Sequence, residues 1–164
     1  MRTIIFQDKQ SKEITSIEVS EKIPDNFQDV FIDCDEDSVL VQGNFTPTEK
    51  AQIASINQLH KFDGLVPVVT QDQNKNLLMQ AFLNFEALQL TLDTNFAHYF
   101  SRSRNKLWKK GEESGHLQKI ILVEYSKKYN FYLYSVKQTS VACHTGNYSC
   151  FFRKLTKDST WEQI

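Results

Sequence analysis

The sequence predicts an α+β fold of mainly antiparallel short strands with two helices. Three observations carry that expectation. Short apolar runs rich in Val, Ile, Phe and Tyr recur between polar turns. Thr46-Pro47-Thr48-Glu49 has the form of a capping box with proline at the first helical position, and Ile53, Ile56 and Leu59 follow at helical spacing. Asn84 stands where it would cap a second short helix, from Glu86 to about Leu92.

In chain order, Ile14, Thr15, Ile17 and Val19 suggest a strand. Val30-Phe31-Ile32 and Ser38-Val39-Leu40-Val41 suggest two more around the acidic turn Asp33-Cys34-Asp35-Glu36-Asp37. The capped helix then runs to about Leu59. From Phe62 the texture changes: Leu65 to Thr70 and Leu77 to Phe82 read as strands joined by Asp72-Gln73-Asn74-Lys75. The second helix, a strand at Ala97 to Phe100, a polar basic loop over 101–116, a hairpin over about 118–137 and a Cys-rich end complete the chain. This divides it into a strand-rich extension, 1–61, and a second domain, 62–164. Val30 to Val41 and Leu122 to Leu133 share a pattern of strand, polar turn, strand.

The chain has 164 residues, 40% of them apolar, with 19 basic and 20 acidic side chains and only five glycines and three prolines, which excludes disordered and collagen-like classes. A formal charge of −1 offers no general attraction to nucleic acid or to an anionic membrane, so neither is expected as a partner. No window approaches the ~20 apolar residues of a membrane span. The N-terminus meets Asp8 and Lys9 before a signal-like apolar core can form, so the chain reads as mature and cytoplasmic.

Three clusters carry potential chemistry. The segment 101–116 gathers Arg102, Ser103, Arg104, Trp108, Lys110, Glu112, Ser114 and His116, a set suited to a phosphorylated, planar ligand. Its structural alternative is a solvated basic loop anchored by Trp108. Cys143 and Cys150 flank His144 and the turn formers Gly146 and Asn147. With Cys34 they make three thiols in all, which matches a catalytic zinc site of three protein ligands and a water; buried inert thiols are the alternative. Asp33, Asp35 and Asp37 alternate, so in an extended segment they face one side, as a hard cation such as Mg²⁺ requires. An ordinary acidic turn is the other reading. His60 and His98 read as structural, and the Phe and Tyr residues of 125–134 as core and dimer surface.

Residues 62–153 resemble the phosphoribosyl-AMP cyclohydrolase family of histidine biosynthesis. The resemblance lies in Asp63-Gly64-Leu65-Val66-Pro67, Leu78-Met79-Gln80-Ala81-Phe82, the run His98 to Lys119 with Tyr99-Phe100-Ser101-Arg102-Ser103-Arg104 and Trp108-Lys109-Lys110-Gly111-Glu112, Val136-Lys137-Gln138-Thr139, and Ala142-Cys143-His144-Thr145-Gly146 with Ser149-Cys150-Phe151. It implies an intertwined homodimer that hydrolyses the N1–C6 bond of the adenine ring in its small-molecule substrate, phosphoribosyl-AMP. It also implies Zn²⁺ on three cysteines shared between subunits and Mg²⁺ on an Asp-x-Asp-x-Asp motif. The slot of that motif, counted back from Cys143 without a gap, reads Ser126-Lys127-Lys128-Tyr129-Asn130 here, and the motif reappears upstream at Asp33 to Asp37. The expectation is that the N-terminal hairpin takes the place of the degenerate one and supplies Cys34, Asp33, Asp35 and Asp37 to a site completed by Cys143 and Cys150, a substitution that strand exchange in a dimer would permit. His116 or His144 would serve as general base, and Arg102, Ser103, Arg104 and Lys110 would bind the phosphoribosyl groups. The alternative function is a catalytically inactive paralogue, or a nucleotide-binding protein that keeps the basic phosphate loop.

Overall fold

Alternating apolar and β-branched residues carry most of this chain into strands, and a few buried polar turns set where those strands reverse. The computed structural model describes residues 1–24, 26–27 and 29–164. Strands β1 (Arg2–Asp8), β2 (Ile14–Ser20), β3 (Asp29–Ile32) and β4 (Ser38–Gly43) open the chain, followed by a two-residue strand β5 (Ala51–Gln52) and a 3-10 turn at Ile56–Gln58. Next come β6 (Val66–Asp72), β7 (Leu77–Leu83), the helix α1 (Phe85–Thr94), β8 (His98–Ser101) and β9 (Lys106–Lys109). Strands β10 (Gln118–Ser126), β11 (Phe131–Gln138), β12 (Arg153–Leu155) and β13 (Trp161–Gln163) end it.

Two sheets form the body. One has the order β13-β12-β3-β4-β1-β2 and the other β5-β10-β11-β6-β7; β8 and β9 make a separate hairpin. Within each sheet one interior pair, β4 with β1 and β11 with β6, runs parallel, and the remaining neighbours are antiparallel. Side chains alternate across these strands. Ile5, Ile14 and Leu40 point into a core shared with Val69, Leu77, Phe131 and Leu133 of the other sheet. Ile4, Val30, Val39 and Val41 face the opposite side, where Phe6, Phe27 and Phe45 cover them. The far side of the second sheet packs Val68, Val123, Tyr132 and Tyr134 against Ala87 and Leu88 of α1. The Phe131 to Tyr134 run is therefore buried core, as expected.

The fold class corrects the sequence expectation: the chain is mostly β, with one α-helix among the described residues, and is not an α+β fold with two helices. The helix expected from Thr46 to Leu59 does not form. The Thr48 hydroxyl donates to the Thr15 carbonyl on β2, Ala51 and Gln52 pair with Tyr125 and Glu124 on the edge of β10, and Ile53 N–H donates to the Val123 carbonyl. A free sheet edge and a core position for Ile53 outweigh helix propensity, which is a weak preference. The capping box of this stretch sits further on, where the Ser55 hydroxyl and the Gln58 side chain close the 3-10 turn. Asn84 does cap α1 as predicted, its side chain accepting from Ala87 N–H at 2.9 Å.

Candidate metal centre and adjoining pocket

The acidic turn between β3 and β4 is built by its first residue. The Asp33 carboxylate accepts from the backbone N–H groups of Asp37 and Ser38 and from the Ser38 hydroxyl, at 2.9 to 3.2 Å. Burial raises its pKa, and these hydrogen bonds act against that rise. Glu36 takes a left-handed conformation at φ 62, so the segment is a tight turn and not the extended strand that would align three carboxylates. The Ser38 hydroxyl also lies 3.0 Å from the Gln80 side chain on β7, a contact that ties the turn to the second sheet. Arg153, from β12, donates through Nη2 to the Asp33 carbonyl at 2.7 Å and lies 3.5 Å from the Cys34 carbonyl.

The second thiol segment is a closed loop laid on β7. Gly146 N–H donates back to the Cys143 carbonyl, and Gly146 has φ +90, a conformation glycine adopts without steric cost. Ser149 Oγ donates to the Leu77 carbonyl at 2.6 Å, and Cys150 N–H to the Leu78 carbonyl at 2.8 Å. Thr145 Oγ1 donates to Cys143 Sγ at 3.0 Å.

These two segments meet. Cys34, Cys143 and Cys150 are all free thiols. The ligand atoms of Cys34, Cys143 and His144 lie within 4.8 Å of one another, with Cys34 Sγ 3.9 Å from His144 Nδ1. Cys150 lies beside Cys34 and Cys143, close enough to interact with both thiols. Interaction with Cys150 pulls the Cys34 pKa down to about 7, against its partial burial and with help from Cys143. The same interaction, with burial, holds the Cys150 thiol up. Ionisation is thus favoured at Cys34 over Cys150, as suits a metal ligand. Three sulfur donors with an imidazole at their edge fit a zinc-like ion, the thiolate and nitrogen set it prefers.

An open pocket of about 480 Å³ adjoins the centre. Asp33, Asp35 and Asp37 line one wall, Gln80 and Phe82 of β7 the floor, and Arg102, Ser103, Arg104 and Trp108 the other side. The Arg102 guanidinium sits 3.9 Å above the Phe82 ring, and Trp108 leans on Tyr99 at 5.0 Å. The structure therefore gathers four of the basic-loop residues named from sequence with all three carboxylates. Of the other four, Lys110 reaches the Ala142 carbonyl beside Cys143, and Glu112 and Ser114 are exposed. His116 is tied through its backbone to Ser114 and Gln138, whereas His144 stands at the thiols. His98 is buried on β8 and His60 is exposed. Sequence reasoning did not find Arg153, Gln80 or Phe82. Gln80 and Phe82 belong to a segment read as a strand and as part of the family resemblance, without a site role, and Arg153 carries no local signal. A larger cavity, about 1070 Å³, lies by Lys127 and Lys128 and has no cysteine or arginine in its lining.

A thiol centre fit for a metal, beside a pocket with carboxylates on one wall and guanidinium groups on the other, defines a metal-dependent enzyme for a small anionic molecule. A family model for phosphoribosyl-AMP cyclohydrolase matches residues 79–152. The phosphoribosyl-AMP cyclohydrolase of Leptospira interrogans is 45% identical over 143 residues, 87% of this chain and 75% of its own. That of Archaeoglobus fulgidus is 56% identical over 96 residues, 58% of this chain and 89% of its own, and that of Methanospirillum hungatei 59% identical over 109 residues, 63% and 82% of the two chains. The chain belongs to the phosphoribosyl-AMP cyclohydrolase family. The Leptospira match is too long to fit within residues 62–164, so it reaches into the N-terminal segment. Among the described residues no helix is long and apolar enough to cross a membrane.

Proposed function

We propose that the chain is a hydrolase of histidine biosynthesis that opens the adenine ring of phosphoribosyl-AMP between N1 and C6. The observation that supports this most directly is the meeting of Cys34 with Cys143 and Cys150 on the edge of the arginine-rimmed pocket. Those three thiols would hold zinc, which when bound lowers the pKa of a water to ~7 and so makes a nucleophile available at neutral pH.

The chain's own residues do the rest. Arg102 and Arg104, with the Ser103 hydroxyl, grip the phosphate oxygens by charge-assisted bonds. Trp108 and Phe82 offer apolar walls for the purine plane. Asp35 and Asp37, on the pocket wall, would hold Mg²⁺ through their carboxylate oxygens, and Asp33, engaged by its own turn, would position them. His144 directs Nδ1 at Cys34, which leaves Nε2 to take the proton from the attacking water and return it to N1 as the C6–N1 bond breaks. C6 then becomes a carboxamide carbon. In this reading a second copy of the chain, the partner that the resemblance implies, supplies no ligand to the centre.

Zinc content and phosphoribosyl-AMP turnover, measured on the wild type and on Cys34→Ala together, test the reading. The wild type should hold about one zinc per chain and turn the substrate over, and the variant should lose both. Retention of both by Cys34→Ala would show that Cys34 is incidental. A wild type with neither would be a nucleotide-binding paralogue that keeps the pocket.

A further inference from the structure

The two sheets repeat one another. The order β3-β4-β1-β2 in the first matches β10-β11-β6-β7 in the second, with the same single parallel pairing at the centre. The registers agree: Ile4 lies opposite Val39 as Val68 lies opposite Tyr132. The first hairpin of each sheet carries its irregularity at the same step, between Phe6 and Gln7 in one and between Thr70 and Gln71 in the other. Both are followed by aspartate, and both turns close with a lysine of positive φ, Lys12 and Lys75, donating N–H to the carbonyl of that aspartate. Gln7 bonds to Gln42 on the neighbouring strand, and Gln71 bonds to Ser135 at the matching place.

The contacts between the halves are reciprocal. Lys12 reaches Asn76, and Lys75 reaches Glu13, the residue matching Asn76. The shared core contains equivalent residues of both halves, Ile5 and its counterpart Val69, Ile14 and Leu77, and Leu40 and Leu133. Each half also sends a strand to the other. After β4 the chain crosses so that Ala51 pairs with Tyr125, and after β11 it crosses so that Arg153 pairs with Ile32, the residue matching Tyr125. Reciprocal contact of equivalent residues is the signature of a two-fold, isologous interface. Here both sides of that interface belong to one chain.

The halves are unequal in what they bring to the centre. The first supplies the Cys34 turn but joins β2 to β3 directly through residues 21–28. The second inserts the pocket segment 84–117 between the equivalent strands and supplies Cys143 and Cys150, while its own turn has Lys127, Lys128 and Asn130 where the first has Cys34, Asp35 and Asp37. We propose that one chain is a fused two-fold pair holding a single complete metal centre, each half lacking what the other provides, and that the symmetry-related position is no longer a metal site. The inference goes beyond the catalytic reading: it rests on that reading's thiol metal centre but not on turnover.

Cobalt(II), whose thiolate complexes absorb in the near ultraviolet and visible, provides the probe. Cys34→Ala and Cys143→Ala are titrated separately, then mixed in equal amounts, unfolded in urea, refolded together and titrated again. With the centre inside one chain, the mixture should absorb as the mean of the two separate variants. A centre shared between chains would restore about a quarter of the wild-type signal, because half of the random pairs would rebuild one of their two sites, and that gain would overturn the inference. The wild type gives a second test that needs no variant. Treating dilute metal-free protein with diamide, a two-electron thiol oxidant, should join Cys34 to Cys143 or Cys150 in a disulfide that migrates as a single chain on a non-reducing gel. Cross-linked pairs as the main product, or no disulfide, would overturn it. Neither readout uses turnover, so an inactive protein that passes both would refute the catalytic reading alone.

Discussion

Replacing Arg153 by methionine separates fold stability from metal affinity. The side chain is half-buried on β12 and donates from Nη2 to the Asp33 carbonyl at 2.7 Å; its Nη1 faces Glu36 at 3.8 Å across a more exposed gap. Methionine keeps most of the aliphatic stem and removes the charged donor, leaving the carbonyl at the base of the Cys34 turn without that partner. A hydrogen bond involving a charged group contributes about 1.5 to 3 kcal/mol, and the exposed ion pair adds little. A chain of this size shifts in Tm by roughly 2 to 4 °C per kcal/mol, so Arg153→Met should melt about 3 to 12 °C lower. The turn it releases carries a proposed ligand, and loss of an outer-shell support of this kind weakens metal binding by about 10- to 100-fold. The assay is thermal unfolding of the metal-free protein together with competitive Co²⁺ titration. A variant that melts lower yet binds Co²⁺ as tightly as the wild type would refute the idea that Arg153 positions Cys34. Arg153→Lys should recover only part of the affinity, since an ammonium cannot keep the guanidinium's fork geometry.

Three further outcomes are expected. Hydrogen bonds from Lys154, then Lys9, hold the Asp29 carboxyl below its usual pKa, so its stabilisation is present above the unfolded value of ~3.9 and is lost as pH falls through the folded value. Asp29→Asn should therefore be less stable by about 1 kcal/mol at pH 7 and should converge with the wild type in strong acid; an equal gap in urea midpoint at both pH values would contradict this. Gly111 has φ +80, and a Cβ there would lie 2.5 Å from the backbone carbon of His116. Gly111→Ala should lower the unfolding midpoint by more than the ~1 to 2 kcal/mol of a left-handed conformation alone, and an unchanged melt would show that the turn can open. Arg102→Ala should reduce kcat/KM by about 10- to 100-fold through the loss of a charge-assisted phosphate contact, with metal content intact; a loss of metal instead would place Arg102 in the support of the centre.

The parts that local chemistry governs were legible before the fold was known. Asn84 announces the start of α1 because its side chain accepts a free N–H of the first turn. The Asp33 to Asp37 segment reads as a turn between strands, and it is one. Failures fall where a distant partner decides. Thr46 to Glu49 has a helix-start signature, but the edge of β10 takes Ala51 and Gln52 as a strand, and no local pattern encodes that edge. Arg2–Asp8 has no place among the strands expected from sequence, although it is an interior strand of its sheet, flanked by β4 and β2. Arg153 shows no motif because its role arises from β12 lying beside β3.

By itself the sequence determines the inventory: three thiols and no more, an acidic turn displaced from its usual slot, a basic segment, and a family resemblance over its second part. These are properties of residue type and near neighbours, which a linear reading samples directly. Only the tertiary structure decides that Cys34 joins Cys143 and Cys150, residues more than a hundred positions away, within one chain. That proximity depends on two sheets packing through the Ile5, Leu40, Val69 and Leu133 core and exchanging strands at their edges. Such contacts arise from burial and pairing between distant segments, and periodicity along the chain carries no record of which distant surfaces will meet.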